Sequence, residues 1–349
     1  MATRIRSHAK INLGLAIGPP REDGYHGLAT IYQTLAIHDF VEVAATPLKT
    51  GSASQITIRC NDKRVPCDGR NTCWKMIERA LKRMNLAAQV SLSIEKRLPV
   101  QGGLGAGSAN AAAALIGLEK ELDAVLPDAE RLGVAGEVGS DVPLFLVGGT
   151  VLGLGRGERV SALRDLPETP CVVAVPAVGV STPQAFRDWD RFFGSAPETN
   201  PASAEGLTVP HGSVRLEQLG STWASVLTGS QQSRTNTTGV FPSLLKKDRA
   251  ENLLLELVRA GIVNDFEQVV FTQYPSLRGI LETLKNDSDG KPAAMHAALS
   301  GSGSALFGLY GTMEEAGKAV KRLSGQGIRA FTTTTVGRQQ YWQGMQNPD

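Results

Sequence analysis

The chain is 349 residues long, with 42% hydrophobic and 20% charged residues and a formal net charge of +2. That length suits two domains of ordinary soluble composition, and the near-neutral balance implies neither a nucleic-acid nor a membrane partner. Cys60, Cys67, Cys73 and Cys171 form no C-x-x-C pair, so free thiols in a reducing cytoplasm are expected rather than a metal site or a disulfide framework.

The start, Met1-Ala2-Thr3-Arg4-Ile5-Arg6, carries no apolar signal core, and no run of about 18 apolar residues follows it. Arg4 to Ile17 reads as a strand with polar residues in it. Lys10 and Asn12 are two apart and so share one face. Their apolar neighbours Ile11, Leu13 and Leu15 fit a functional face and a solvated face equally well. Asp23-Gly24 is a turn signal. Tyr25 and His26 follow it, residues that singly are most often structural. Side by side on a loop, they suit recognition of a flat heterocycle. Strands are predicted over Ile31–Ile37, Asp39–Ala45 and Gln55–Arg59, and a helix over Asn71–Met84 from the spacing of Ile77, Leu81 and Met84.

Val90 to Ile94 alternates as a strand does, and Ala111 to Leu118 is strong helix-forming sequence. Between them runs Pro99-Val100-Gln101-Gly102-Gly103-Leu104-Gly105-Ala106-Gly107-Ser108-Ala109-Asn110. A strand, a glycine loop and a helix in that order form a phosphate cradle. The glycines allow close backbone approach, and the helix start, at Ser108, offers unpaired N–H groups and the positive end of the dipole. The run is neither a Walker loop, which ends in Gly-Lys-Ser/Thr, nor a dinucleotide fingerprint, whose last glycine is missing. The alternative is a turn that only packs helix on strand.

Downstream, Gly139-Ser140-Asp141-Val142-Pro143 sets one carboxylate before an apolar run, which suits a helix cap as well as a functional acid. Thr182-Pro183 reads as a helix start, with Phe186 one turn in, where core packing is the ordinary role. Arg187 to Phe241 has poor periodicity and reads as long polar insertions. Helices are expected over Asn252–Arg259 and Phe266–Val270 and again after Pro275. Ala297 to Leu309 holds a second glycine loop leading into a strand. A helix over Met313–Leu323 and a strand over Ile328–Val336 follow.

Pro-x-x-x-Gly-Leu-Gly-x-Gly-Ser-x-Asn-Ala-Ala, at 99–112, resembles the ATP-phosphate loop of the GHMP kinases, and Leu299 to Phe307 resembles that family's third motif. The resemblance implies an α+β, two-domain GHMP kinase fold. A ribosomal-protein-S5-like ATP domain would span 1–157. A ferredoxin-like α/β sandwich domain would span 158–340, with polar insertions at about 190–250, leaving 341–349 as a tail. The active site would lie in the interdomain cleft.

Four further motifs resemble the branch of the family that phosphorylates the 2-hydroxyl of a cytidine-diphosphate-linked sugar alcohol in the non-mevalonate isoprenoid pathway. They are Ala9-Lys10-Ile11-Asn12-Leu13, Asp23-Gly24-Tyr25-His26, Gly139-Ser140-Asp141-Val142-Pro143 and Asn264-Asp265-Phe266-Glu267. The resemblance implies Asp141 as the base and Lys10 as the cation that holds it and neutralises the phosphoryl group. Asn12 would place the substrate. Tyr25 and Phe186 would sandwich the cytosine, and His26 would read its edge. Thr182, Gly301, Ser302 and Gly303 would complete the substrate side. Asn71, Lys96 and Pro99 would line the ATP side, and Gly102, Gly103, Leu104, Gly105, Ala106, Gly107 and Ser108 would hold the phosphates. Mg²⁺ would accompany ATP, with Ser108 as its candidate ligand. Gln101, Ala106 and Ala109 stand where the family commonly has glycine or serine. The rivals are another small-molecule GHMP kinase, of homoserine or mevalonate type, and a non-catalytic ligand-sensing protein of the same fold. Tyr25, His26 and Phe186 weigh against the first, Lys10 with Asp141 against the second.

Overall fold

The computed structural model describes residues 2–49, 51–100, 102–193, 213–228, 256–257, 260 and 262–346. Gln101, most of the expected insertions and nearly all of the helix expected over Asn252–Arg259 lie outside the described residues.

Two long strands, β1 (Thr3–Pro20) and β2 (His26–Pro47), form an antiparallel ribbon. The two strands expected over 31–45 are thus one. The expected gap between them, at His38, is closed, because His38 pairs with His8 and Asp39 with Ser7. Asp39 is fully buried. It accepts from the backbone N–H groups of Arg97 and Leu98 at 2.8 Å and from Lys96 Nζ at 2.5 Å, so the ladder runs through it. With β3 (Gln55–Cys60), β4 (Ala88–Glu95), β5 (Thr150–Gly155) and β6 (Arg159–Ala162), the sheet runs β3-β4-β2-β5-β6, and β1 pairs with β2.

Helices α1 (Thr72–Met84), α2 (Ala106–Leu122) and α3 (Asp128–Val138) share one hydrophobic core with this sheet. α1 is amphipathic and buries Cys73, Met76, Ile77, Ala80 and Leu81. α2 is buried almost all round, because Ala109 and Ala111 to Ala114 are small enough for β2 and α1 to close on it.

The second sheet is antiparallel, in the order β10-β7-β9-β8. Its strands are β7 (Pro170–Val175), β8 (His296–Leu299), β9 (Leu306–Leu309) and β10 (Arg329–Thr334). α4 (Thr182–Phe193) follows β7, and α5 (Ser213–Thr228) lies within the expected insertion, with Trp223 fully buried. α6 (Phe266–Gln273), α7 (Pro275–Lys285) and α8 (Met313–Gly325) pack on this sheet through Val270, Leu277, Leu281 and Leu323. α9 (Arg338–Gln346) ends the described chain. The two units are sewn together by bridges Leu15–Asn264 and Leu35–Thr335.

Two of the expected boundaries move. The change of sheet comes between Ala162 and Pro170, not at 157, because β6 still pairs with β5. Of the expected tail, residues 341–346 belong to α9. Tyr341 and Met345, one helical turn apart, are both buried, and Tyr341 Oη donates to the Phe145 carbonyl at 2.6 Å.

Candidate active site

The ribbon is irregular where it matters. Its register shifts between His8 and Lys10 and again between Asn12 and Gly14, and such bulges re-aim side chains. Asn12 lies directly across from Tyr32, and residues directly opposite share a face. Lys10 is 2% exposed. Its Nζ donates to Asn12 Oδ1 at 2.7 Å and pairs with Asp141 Oδ2 at 3.1 Å. Asn12 Nδ2 in turn donates to Thr30 Oγ1 at 2.8 Å. The solvated-face alternative for Lys10 and Asn12 is therefore gone.

Tyr32 Oη donates to Asp141 Oδ1 at 3.0 Å, so each carboxylate oxygen has its own donor. Burial, and then the Asp141 charge, push the Tyr32 hydroxyl well above its ordinary pKa, so it stays a donor. The capping alternative for Asp141 also fails. The following 3₁₀ turn, Pro143–Leu146, begins from Val142 and receives no side-chain cap.

α2 begins at Ala106, two residues before the expected start. Its cap is Gly105, in the left-handed region at φ 68°, with no side-chain hydrogen bond. The first-turn N–H groups of the helix are therefore uncapped by any side chain, which is the arrangement that attracts phosphate. They line a cavity of about 420 Å³ together with Asn71, Lys96, Pro99 and the loop from Gly103 to Ser108. A Cβ on Gly103 would lie 2.0 Å from the Ser300 carbonyl oxygen, and one on Gly105 would lie 2.9 Å from Lys10 Cγ. Leu104 is buried, and its carbonyl accepts from Lys10 N–H at 3.0 Å. Ser300 Oγ donates to the Gly103 carbonyl, and Asn264 Nδ2 donates to the carbonyls of Leu299 and Gly301. Both glycine loops and β1 are thus tied into one unit. Lys96 and Asn71 reach this cavity with their side chains already engaged. Lys96 pairs with buried Asp39, and Asn71 caps α1 while donating to the Pro66 carbonyl.

A larger cavity of about 750 Å³ gathers Lys10, Asn12, Asp141, Tyr25, His26, Thr182, Phe186, Gly102, Gly103 and Gly301 to Gly303. Contacts run round it as a ring. Lys10 lies beside Gly301, and Thr182 Oγ1 and Ser302 Oγ share a hydrogen bond at 2.6 Å. Phe186 stacks on His26 at 5.0 Å, Tyr25 lies under the Arg156 guanidinium, and Gly157 abuts Tyr32.

The expected sandwich is not an open slot. His26 itself covers a face of Phe186, while Tyr25 stands 53% exposed. Nor is the edge of His26 free. Its Nδ1 donates to the Gly18 carbonyl at 3.0 Å and its Nε2 meets Asp190 Oδ1 at 3.2 Å, as a buried imidazole requires partners for both nitrogens. The two cavities share Gly103 and Asp141. Tyr32 and Arg156 are the side chains at this site that sequence reasoning missed.

Among described residues no group of three or more His, Cys, Asp or Glu side chains could hold a metal ion, and no helix is long and apolar enough to cross a membrane.

The pattern described as GHMP kinases N terminal domain matches residues 71–149, and that described as GHMP kinases C terminal matches 242–329. The 4-diphosphocytidyl-2-C-methyl-D-erythritol kinase of Solibacter usitatus is 32% identical over 97% of this chain and 90% of its own length. The enzyme of that name from Rhodococcus jostii is 42% identical, over 54% of this chain and 59% of its own length. A crystal structure of 4-(cytidine 5'-diphospho)-2C-methyl-D-erythritol kinase superposes with a TM-score of 0.64 at 25% identity, covering 96% of this chain and 100% of that one.

Proposed function

The chain belongs to the GHMP kinases, in the family of 4-diphosphocytidyl-2-C-methyl-D-erythritol kinases, and from that premise we propose how it uses its cleft. It is a small-molecule kinase that transfers the γ-phosphoryl group of ATP to the 2-hydroxyl of 4-diphosphocytidyl-2-C-methyl-D-erythritol, a step of the non-mevalonate isoprenoid pathway. ATP lays its phosphates over the first turn of α2 in the smaller cavity, and the cytidine substrate fills the larger one. The observation that carries this division is the wall common to both, formed by Gly103 and Asp141. A group handed from one cavity to the other must pass that wall.

At the wall, Asp141 takes the proton of the attacking hydroxyl. The bond from the γ-phosphorus to its bridging oxygen breaks as the bond to the substrate oxygen forms. Lys10 lies beside the transferring group and offsets its charge, and Asn12 holds Lys10. Such transfer is mostly positioning and charge stabilisation, which suits a corner built of interlocked loops. Tyr25 and Phe186 flank the base, with His26 backing Phe186. Mg²⁺ would accompany the nucleotide, with phosphate oxygens and water as most of its ligands. The Ser108 hydroxyl, in the first turn of α2, is the side-chain oxygen proposed to reach it. When bound, the ion neutralises phosphate charge.

A cytoplasmic setting is supported by four free thiols. Two of them are fully buried, with burial pushing Cys73 up to about 12 and Cys171 still further.

The test is a panel of alcohols with Mg²⁺–ATP, followed by phosphorus NMR. The cytidine-diphosphate sugar alcohol should be phosphorylated at its 2-hydroxyl, and homoserine, mevalonate and galactose should not. Turnover of homoserine or mevalonate without the cytidine compound would reassign the enzyme.

A further inference from the structure

We propose that Arg156 is the counter-charge for the diphosphate of the cytidine substrate, and so a specificity-determining residue of the larger cavity. The inference rests on the substrate assigned above and adds a residue that no motif marked.

The diphosphate joins the ribose of cytidine to the reacting sugar alcohol, so it must lie between the aromatic end of the cavity, where the base sits, and Asp141. Two walls connect those ends. One runs through Gly301, Ser302 and Thr182, which carry no charge. The other runs through the β5–β6 turn, where Arg156 bridges both ends. Its guanidinium lies 4.8 Å from the centre of the Tyr25 ring. Its neighbour Gly157 comes so close to the hydroxyl of Tyr32 that an added Cβ would lie 2.4 Å from it, and that hydroxyl grips Asp141.

The other cationic or titratable nitrogen groups lining the cavity are matched by carboxylates. Lys10 faces Asp141 at 3.1 Å and His26 faces Asp190 at 3.2 Å. Among the described residues, Arg156 has only Glu158 as an ion-pair partner, and only through Nε at 3.9 Å. Glu158 instead accepts from the Arg156 backbone N–H at 2.6 Å, which fixes the turn. The guanidinium rests on an aromatic face.

A partly exposed cation–π contact is weak, whereas Arg–phosphate pairing is bidentate and charge-assisted. An arriving diphosphate therefore draws Arg156 off the ring. The same movement uncovers that face of Tyr25, where the cytosine stacks. Arg156 holds the place of the base until the substrate brings both groups together.

The experiment compares wild type, Arg156→Met and Arg156→Lys, all full-length. It reads kcat and KM for both substrates, and calorimetric affinities for cytidine 5'-diphosphate and cytidine. The Met variant should raise KM for the cytidine-diphosphate substrate about tenfold or more, with kcat and the ATP KM little changed. Its affinity for cytidine 5'-diphosphate should fall in step while cytidine binds as before. The Lys variant should recover part of the loss.

A Met variant with wild-type KM would overturn the proposal. So would equal weakening of cytidine and cytidine 5'-diphosphate, since Arg156 would then only prop Tyr25. If wild type failed to phosphorylate the cytidine compound, the substrate assignment would fall. The two-ligand comparison would still decide on Arg156, because a wild type indifferent to the added diphosphate would refute it separately.

Discussion

Asp141→Asn should lower kcat by about 10²–10⁴-fold, the usual worth of a general base, while both substrates still bind. The side chain has two partners, Lys10 Nζ on Oδ2 and Tyr32 Oη on Oδ1. An amide keeps one acceptor and gains a donor. Turned toward Lys10, that donor would face an ammonium. The amide oxygen therefore takes the Lys10 side, and its NH₂ donates to Tyr32, whose hydroxyl can rotate to accept. What is lost is a charge on the Lys10 hydrogen bond, worth about 1–2 kcal/mol of stability. Water relieves part of this, because the Asp141 side chain is 32% exposed. The fold survives, but the hydroxyl proton has nowhere to go. Lys10→Met should cost a comparable factor, and the double variant should lose no more than about the worse single one, because the two residues act as a unit. ADP-coupled turnover gives kcat, calorimetry gives both affinities, and circular dichroism checks the fold. A kcat for Asp141→Asn within a few-fold of wild type would refute the reasoning, as would losses that multiply in the double variant.

Tyr25→Ala should raise KM for the cytidine substrate by the equivalent of about 1–3 kcal/mol, the worth of stacking on one base. ATP KM and melting temperature should hold, because Tyr25 is mostly exposed. Phe186→Ala should raise the same KM and also lower stability, since Phe186 packs on His26 and Phe266; unchanged KM in both variants would remove the aromatic clamp. Gly105→Val places a branched side chain at φ 68° against Lys10. It should weaken ATP binding and lower kcat, and calorimetry showing wild-type ATP affinity in a folded variant would take the loop out of the site. Burial pushes the His8 ring from its ordinary 6.5 to about 4. The unfolded chain then binds the extra proton between those values, so stability must fall as pH drops from 6.5 to 4, by about 3 kcal/mol in all. His8→Asn should make that slope shallower in urea midpoints, leaving the share of His296, whose ring burial also pushes down to about 4, and a slope parallel to wild type would contradict it.

What could be read in the sequence was whatever is local along the chain. The glycine run before an alanine helix announces its geometry, because a helix start and positive-φ residues are properties of neighbours. Lys10 and Asn12 could be placed on one face from a spacing of two. Whether that face was wet or buried depended on Thr30, Thr34 and Tyr32 across the ribbon, and the register bulges at His8/Lys10 and Asn12/Gly14 leave no mark in composition. Tyr32 was therefore hidden in a strand of ordinary apolar character. Asp39 was placed in a strand, but its role was hidden, because its partners Lys96, Arg97 and Leu98 lie more than fifty positions away. Arg156 carried no signal of its own in the sequence, since its meaning comes from Tyr25, more than a hundred positions away.

The two donors on Asp141 explain how one corner can serve two charges in sequence. At rest, Lys10 and Asp141 neutralise each other, so a buried ammonium is tolerated. In the proposed transfer the hydroxyl proton passes to Asp141, and the carboxylate charge vanishes. At that moment the Lys10 charge is no longer matched, and the phosphoryl oxygens are the nearest anions. On this proposal the cation would be handed from base to phosphoryl by the proton transfer itself, with no side chain having to travel. Preorganised charge of this kind needs no reorganisation at the transition state. Asn12 makes the handover possible by fixing Nζ at 2.7 Å from its own oxygen, so the ammonium stays in place when its ionic partner is neutralised. Tyr32 sets the other limit. Its hydroxyl donates to Oδ1 at 3.0 Å and so fixes the carboxylate's orientation, with Oδ2 on the Lys10 side.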